Sequence, residues 1–251
     1  VPLIAETGGQ NCMVVDSSAL LEQVVTDAVA SAFEAAGQRC SALRVLCVQD
    51  DVADRLIEML QGAMAENTLG TPANLSVDIG PVIDERARAG IEAHVQAMQQ
   101  RGCRVHRISR NAPEAWPAGT YVQPTLIEID SIAQLEREVF GPVLHIVRYA
   151  RSQLPELLQA INATGYALTL GVHSRIEETI AQVTDSTHAG NVYINRNMVG
   201  AVVGVQPFGG EGLSGTGPKA GGPLYLLRLL ARCPQDAALR SVQASGAAAL
   251  P

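Results

Sequence analysis

The sequence predicts an α/β fold in which a mainly parallel sheet is flanked by helices on both faces, a three-layer αβα arrangement. Short apolar segments of strand length alternate with longer segments whose apolar residues recur at helical spacing, and this alternation is typical of parallel sheets. Residues 43–48 have the apolar character of a strand that is covered on both sides. With 251 residues, 47% of them hydrophobic, the chain is long enough to bury such a core.

The first half of the chain opens with a strand predicted at Cys12–Val15. A helix at 20–36 follows, because apolar residues recur there every three or four positions. Gly37 is expected to end this helix, since glycine readily adopts the conformation found after helix C-termini. The remaining elements of this half are a strand at 43–48, a helix at 50–66, a loop rich in turn residues, a helix at 84–100 and a strand at 103–108.

The second half begins after a surface loop at 109–119. It contains predicted strands at 120–122, 126–129, Val143–Tyr149, 168–173 and 190–195, and predicted helices at 154–162, 176–186 and 224–231. A glycine-rich segment at 200–222 precedes the last helix. The Ala-, Ser- and Gln-rich end at 233–251 is expected to be a tail or connector.

Composition excludes several classes of function. The formal net charge is −7 and there are only nine aromatic residues, so the chain is poorly equipped to bind nucleic acid. No apolar run is long enough for a membrane helix. The five cysteines form no disulfide or zinc pattern, and the histidines are scattered, so we expect no metal site and a reducing, cytoplasmic location.

Cys40 is a candidate nucleophile because it follows a helix-ending glycine and lies beside Arg39. A neighbouring cation and exposed backbone amides lower the pKa of a thiol and favour the reactive thiolate. The alternative is that Cys40 is a small core residue, which is how we interpret Cys12 and Cys47 inside their apolar strands.

Two acidic residues are further candidates. Glu6 precedes Gly8-Gly9 at the end of a short segment, and a carboxylate in a half-buried turn can serve as a general base. Glu138 precedes Phe140 in a compact acidic-aromatic turn, where a carboxylate can bind a ribose and an aromatic ring can cover a nicotinamide. The alternatives are a solvated turn carboxylate for Glu6 and an ordinary loop into strand Val143–Tyr149 for Glu138.

The segment 210–215 matches the pattern GxGxxG, but we reject it as a dinucleotide-binding loop. It follows Pro207-Phe208-Gly209 rather than an apolar strand, and no second strand with an acidic end comes after it. We expect these glycines to let the backbone pass close to a substrate or another subunit.

Four motifs in order carry a resemblance to a known family. They are Glu-x-Gly-Gly-x-Asn at 6–11, Gly-Gln-x-Cys at 37–40, Glu-x-Phe-Gly-Pro at 138–142 and Pro-Phe-Gly-Gly at 207–210. Together they resemble the catalytic half of the NAD(P)-dependent aldehyde dehydrogenase superfamily. The resemblance runs from about residue 4 to residue 228, which implies one catalytic domain at 1–228 and a tail or linker at 229–251. The segments 195–204 and 215–223 look most like the glutamate γ-semialdehyde (1-pyrroline-5-carboxylate) dehydrogenase branch, and in particular like the dehydrogenase module of proline utilization A proteins.

The resemblance implies NAD-dependent oxidation of L-glutamate γ-semialdehyde to L-glutamate in proline catabolism. Cys40 would be the nucleophile that forms a thioester, and Glu6 would activate water. Glu138 and Phe140 would hold the nicotinamide riboside. The residues implied for the substrate are Ser41, Gly200 and Ala201 at its carboxylate, and Phe208 against its aliphatic part.

The resemblance also implies missing parts. The chain starts at Val1 without Met, and we expect a fragment that lacks an upstream NAD-binding domain and shows no turnover alone. A fused proline dehydrogenase module with FAD, and a homo-oligomer of the full protein, are further implications. Two alternatives stay open: a dehydrogenase of another aldehyde, and a non-catalytic assembly domain.

Overall fold

The computed structural model describes residues 3–202 and 204–230, which fold around one large sheet. The strands are β1 (Cys12–Val15), β2 (Val45–Gln49), β3 (Arg104–Arg107), β4 (Thr125–Ile129), β5 (Val143–Tyr149), β6 (Tyr166–Ala167), β7 (Thr169–His173), β8 (Asn191–Ile194) and β9 (Glu211–Gly212). The helices are α1 (Leu21–Phe33), α2 (Asp50–Ala65), α3 (Glu85–Gln100), α4 (Leu154–Ala163), α5 (Glu177–Ser186) and α6 (Tyr225–Arg228).

The large sheet has seven strands in the order β3-β4-β5-β2-β1-β7-β8. All neighbours are parallel except β3 and β4, which are antiparallel. The chain first forms β2 to β5 on one side of β1 and then crosses to form β7 and β8 on the other side. Connections between parallel strands are right-handed as a rule, and that rule puts the helices of the two halves on opposite faces of the sheet. The predicted mainly parallel αβα architecture is confirmed. Within the described part of the chain, every helix is too short or too polar to span a lipid bilayer.

The core lies on both faces of the central strands. Every residue of β1 and β2 is buried, as is usual for parallel strands that are covered by helices on both sides. Helix α1 is amphipathic and turns Val24, Ala28 and Ala32 toward this core.

The end of the first helix differs from the prediction. Helix α1 stops at Phe33, and the tight turn Glu34–Gly37 follows it. Ala35 and Ala36 both have positive φ values, of 53° and 54°, before Gly37 at 65°. A Cβ atom at Gly37 would overlap the carbonyl of Gly141, so glycine is required there for a close approach of two loops.

Other boundaries also change. Residues 120–122 form no strand, because Thr120 pairs with the loop residue Val82 (Val82 N to Thr120 O, 2.9 Å) rather than with the sheet.

The glycine-rich segment at 200–222 contains β9, which pairs with β6 of the same chain. Gly210 lies against the carbonyl of Ala167, so the close neighbour of this segment is the chain itself. Beyond residue 230, the predicted helix end, Cys233 and the tail lie outside the described residues.

Candidate active site

Three candidate residues gather at the amino edge of the large sheet. Glu6, Cys40 and Glu138 precede β1, β2 and β5, which are neighbours in the order β5-β2-β1. Because these strands are parallel, the loops that enter them lie side by side. The carboxylates of Glu138 and Glu6 are both close enough to act electrostatically on the Cys40 thiol.

Cys40 lies in a turn whose backbone is held by hydrogen bonds. Its side chain is half-buried, and the turn is closed by a hydrogen bond from Ala42 N to Arg39 O of 3.0 Å. The side-chain amide of Asn11 donates to the carbonyl oxygens of Cys40 (2.7 Å) and Ala42 (2.9 Å). The position of the thiol is therefore set by a side chain that stands just ahead of β1.

The expectation that Arg39 lowers the pKa of Cys40 is wrong. Burial raises the pKa of the thiol, and the Glu138 and Glu6 carboxylates raise it further. The backbone N–H groups of Ser41 and Cys40 act in the opposite direction but do not outweigh burial. Arg39 instead donates to Val199 O at 3.2 Å and lies 3.7 Å from Glu34.

Arg44 is the site residue that sequence reasoning missed. Its side chain is fully buried, and it donates to Glu138 Oε1 through Nη2 (2.9 Å) and Nε (3.1 Å). It also donates to the carbonyl oxygens of Gly37 (2.7 Å), Arg39 (3.2 Å) and Gly141 (3.2 Å). Burial lowers the pKa of Arg44, while Glu138 acts to raise it. A lone arginine inside the apolar segment 43–48 was the available signal, since a buried charge must be paired.

Glu138 and Phe140 border one groove. Glu138 Oε2 accepts a hydrogen bond of 3.0 Å from Gly9 N. Phe140 is 44% exposed, and the Arg44 guanidinium lies 5.0 Å from the centre of its ring. The groove has a volume of about 470 Å³, and it is lined by Gln38, Ile83, Ala87, Ile91, His94 and Phe140 among others. This surface presents a carboxylate beside an accessible aromatic ring.

Glu6 is exposed, as in the alternative of a solvated turn carboxylate and unlike a residue in a half-buried turn. It forms an isolated antiparallel bridge with Gly215, and the neighbouring Thr7 N donates to Ser214 O at 3.2 Å. The segment that carries Glu6 is thus joined to the glycine-rich segment at 200–222, and its carboxylate has access to water.

The residues implied for substrate binding lie on two segments. Ser41 is buried beside Cys40, whereas Gly200 is half-buried and Ala201 is exposed. The hydrogen bond from Arg39 to Val199 ties the 199–201 segment to the Cys40 turn. Phe208 is half-buried and pairs with Ala220.

Two of the other cysteines are more deeply buried than Cys40. Cys12 and Cys47 are 1% and 0% exposed, as the core interpretation requires. Hydrogen bonding to Cys12 and burial raise the pKa of Cys47 well above its ordinary value. Among residues 3–202 and 204–230, no three His, Cys, Asp or Glu side chains converge as a metal site.

Comparison with known proteins gives consistent matches. The sequence profile of the aldehyde dehydrogenase family matches residues 1–231. The chain is 68% identical over 240 residues to the bifunctional protein PutA of Escherichia coli, covering 94% of this chain and 18% of that protein. It is 37% identical over 228 residues to the 1-pyrroline-5-carboxylate dehydrogenase of Geobacillus kaustophilus, covering 90% of this chain and 43% of that enzyme.

A solved structure shows the same arrangement. The crystal structure of a bifunctional proline utilization A protein superposes with a TM-score of 0.86 at 55% identity, covering 91% of this chain and 23% of that one. The chain therefore spans about a fifth of the PutA proteins that it matches, and less than half of the shorter dehydrogenase.

Proposed function

This chain belongs to the aldehyde dehydrogenase family, and from that premise we propose that it carries the catalytic residues for NAD-dependent oxidation of L-glutamate γ-semialdehyde to L-glutamate in proline catabolism. The observation that carries the proposal is a half-buried Cys40 thiol that lies within electrostatic reach of the Glu6 and Glu138 carboxylates. The choice of substrate is supported by the names of the similar proteins, one of which is a 1-pyrroline-5-carboxylate dehydrogenase.

Cys40 is the proposed nucleophile. Its thiolate attacks the aldehyde carbon to form a hemithioacetal, and loss of hydride from that carbon leaves a thioester on the sulfur. Glu6, which is exposed, then takes a proton from water, and the hydroxide attacks the thioester. This releases the carboxylate product and returns the Cys40 thiolate.

The groove beside Glu138 fits the nicotinamide end of a dinucleotide. Glu138 Oε2 accepts one described hydrogen bond, from Gly9, so a lone pair remains for a ribose hydroxyl. The exposed part of the Phe140 ring provides an apolar surface for the nicotinamide. The family uses NAD or NADP, which accepts the hydride when bound; we propose NAD.

Ser41, Gly200, Ala201 and Phe208 are the proposed substrate contacts. Ser41 follows the nucleophile directly, and the hydrogen bond from Arg39 to Val199 holds the 199–201 segment against the same turn. A hydroxyl and backbone amides at a glycine turn are suited to a carboxylate. Phe208 is proposed to cover the aliphatic part of the substrate.

The chain is proposed to act as part of a longer cytoplasmic polypeptide. It spans 18% of a relative that is named bifunctional, which supports further domains in the whole protein. We propose that these are an NAD-binding domain and a fused FAD-dependent proline dehydrogenase module. We propose that the assembled enzyme is a homo-oligomer, and that residues 1–228 form its catalytic domain with 229–251 as a tail or linker.

NADH formation by the natural polypeptide with glutamate γ-semialdehyde tests this function. We expect turnover that Cys40→Ala abolishes and that Cys103→Ala, which removes another half-buried cysteine, retains. Activity that survives in Cys40→Ala would remove Cys40 from its role. Turnover of neutral aldehydes alone would keep the family chemistry and discard the proposed substrate.

A further inference from the structure

Two buried side chains hold the backbone carbonyl groups around Cys40. The Asn11 amide donates to Cys40 O (2.7 Å) and Ala42 O (2.9 Å). The Arg44 guanidinium donates to Gly37 O (2.7 Å) and Arg39 O (3.2 Å). Four carbonyl groups within six residues therefore point into the protein, toward two donors that are 2% and 0% exposed.

This arrangement fixes the direction of two backbone N–H groups. In a trans peptide the C=O of one residue and the N–H of the next point in opposite directions. The carbonyl of Arg39 is held by Arg44, so the N–H of Cys40 points away from Arg44. The carbonyl of Cys40 is held by Asn11, so the N–H of Ser41 points away from Asn11. The same two backbone N–H groups, of Ser41 and Cys40, act to lower the pKa of the Cys40 thiol.

Both donors are themselves fixed. Asn11 Oδ1 accepts a hydrogen bond of 3.2 Å from Thr169 N at the start of β7, which orients the side-chain amide with its NH₂ toward the Cys40 turn. Arg44 is held by Glu138 through Nη2 and Nε. Each donor is thus tied to a second strand or loop, and neither can rotate without losing several hydrogen bonds at once.

We propose that Asn11 and Arg44 are positioning residues that stabilise the Cys40 thiolate by turning the Cys40 and Ser41 N–H groups toward its sulfur. Two hydrogen bonds to a charged sulfur favour the reactive form of the nucleophile, against the opposing effect of burial and of two nearby carboxylates. The inference rests on the proposed function, in which Cys40 is the nucleophile, but thiolate formation is measurable without substrate or cofactor.

The pH dependence of Cys40 alkylation by iodoacetamide tests the proposal, with peptide mass spectrometry to isolate Cys40 in the natural polypeptide. The charged groups that face the sulfur are Glu138, Glu6 and Arg44, and Asn11→Ala leaves all three in place. We expect the midpoint to move to higher pH in Asn11→Ala, so that alkylation near neutral pH slows about tenfold. An unchanged midpoint would overturn the proposal.

Asn111→Ala is the matched control. Asn111 also uses both ends of its amide, with Leu69 O at 2.7 Å and Leu69 N at 2.9 Å, but it holds another loop. We expect this variant to retain the midpoint of the parent protein. An equal shift in both variants would assign the effect to general loosening of the fold and would also overturn the proposal.

Conservative variants keep the test decisive if Asn11→Ala does not fold. Asn11→Ser retains one donor and should give a smaller shift of the same sign. Arg44→Lys keeps the positive charge but loses the planar fork that spans Gly37 and Arg39, so it should also move the midpoint upward. No shift in either folded variant contradicts the proposal.

Turnover separates this inference from the proposed function. In the folded variants we expect kcat to fall in step with the alkylation rate, while KM for the aldehyde changes less than about twofold. If the parent protein oxidises no aldehyde, the proposed function fails, yet the alkylation profiles still decide whether Asn11 and Arg44 orient the N–H groups.

Discussion

The Arg44 guanidinium and the Glu138 carboxylate form a buried ion pair next to the candidate site, in which Arg44 Nη2 lies 2.9 Å from Glu138 Oε1. The two residues are 94 positions apart in the sequence. The pair joins the loop before β2 to the loop before β5. Glu138 also accepts a hydrogen bond from Gly9 N, which lies in the loop before β1. One carboxylate therefore connects all three loops that bring Glu6, Cys40 and Glu138 together. The proposed ribose-binding role of Glu138 depends on this same connection.

Removing both members of the buried pair should cost less than the sum of the two single removals. Arg44→Met leaves the Glu138 carboxylate and several loop carbonyls without their donor, and we expect a loss of about 3–5 kcal/mol in unfolding free energy. Adding Glu138→Gln removes the unpaired charge, so the double variant should be less destabilised than the sum of the single variants. Denaturant unfolding of the four proteins measures this coupling.

The exposed pair of Arg88 and Glu85 provides the control. Its atoms also approach to 2.6 Å, but both side chains lie at the surface of α3. Arg88→Met should leave the unfolding midpoint almost unchanged, because solvent screens such pairs. Additive effects of Arg44→Met and Glu138→Gln would show that the buried pair acts as two independent residues.

Much of the fold could be predicted because the strands carry a local signal. Val143–Tyr149 is predicted and observed with the same bounds, since it is continuously apolar apart from His145 and Arg148. The positive φ values of Ala35 and Ala36 had no such signal, because alanine is the strongest helix former. The approach of Gly37 to Gly141 depends on residues far apart in sequence, and it overrides the local preference.

The candidate site, like the fold, was predictable only where the sequence carries a local signal. Motif spacing identified Glu6, Cys40 and Glu138, and the parallel strands bring them to one edge. The direction of the Cys40 pKa shift could not be predicted, because burial and the two carboxylates that raise it belong to the tertiary structure. The roles of Asn11 and Arg44 are likewise visible only once their carbonyl partners are known.

Glu6→Gln should separate the two chemical halves of the proposed reaction. The amide cannot take a proton from water, so thioester formation continues while its hydrolysis slows about 10²–10⁴-fold. We expect a rapid burst of NADH equal to the number of Cys40 sites, followed by slow turnover in stopped-flow absorbance. Glu211→Gln, an exposed carboxylate on the neighbouring β9, is the control and should show no burst. Loss of the burst in Glu6→Gln would place Glu6 before thioester formation.

Substitutions at Gly200 should discriminate between substrates. A Cβ atom at this position meets Arg196 Nη2 at 2.9 Å, the end of a flexible side chain, so Gly200→Ala should change KM little. Gly200→Asp adds a negative charge at the proposed carboxylate contact and should raise KM for glutamate γ-semialdehyde at least about tenfold. Gly200→Asn has nearly the same shape without the charge and serves as the control. Equal losses for a neutral aldehyde would contradict the assignment of this carboxylate contact.

His145 should make the fold sensitive to mildly acidic pH. It is fully buried, and burial together with His94 lowers its pKa from 6.5 to about 3. Its Nδ1–H donates to Arg44 O at 3.0 Å, which leaves Nε2 to accept a hydrogen bond of 2.9 Å from His94 Nε2–H. Protonation at Nε2 would place two N–H groups against each other.

The sign of the pH effect follows from these values. The unfolded chain binds the His145 proton below about pH 6.5 and the folded chain does not, so the stabilising contribution is complete above that pH and is lost progressively toward pH 3. The free energy of unfolding should fall by up to about 1.4 kcal/mol per pH unit because of this residue.

Between pH 7 and pH 5, the thermal unfolding temperature should therefore fall less steeply with pH in His145→Gln than in the parent protein. The slope should be reduced rather than abolished, because burial also lowers the pKa of His94 and His173. His188→Gln, which removes an exposed imidazole, is the control, and equal slopes in all three proteins would show that His145 does not govern the response to acid.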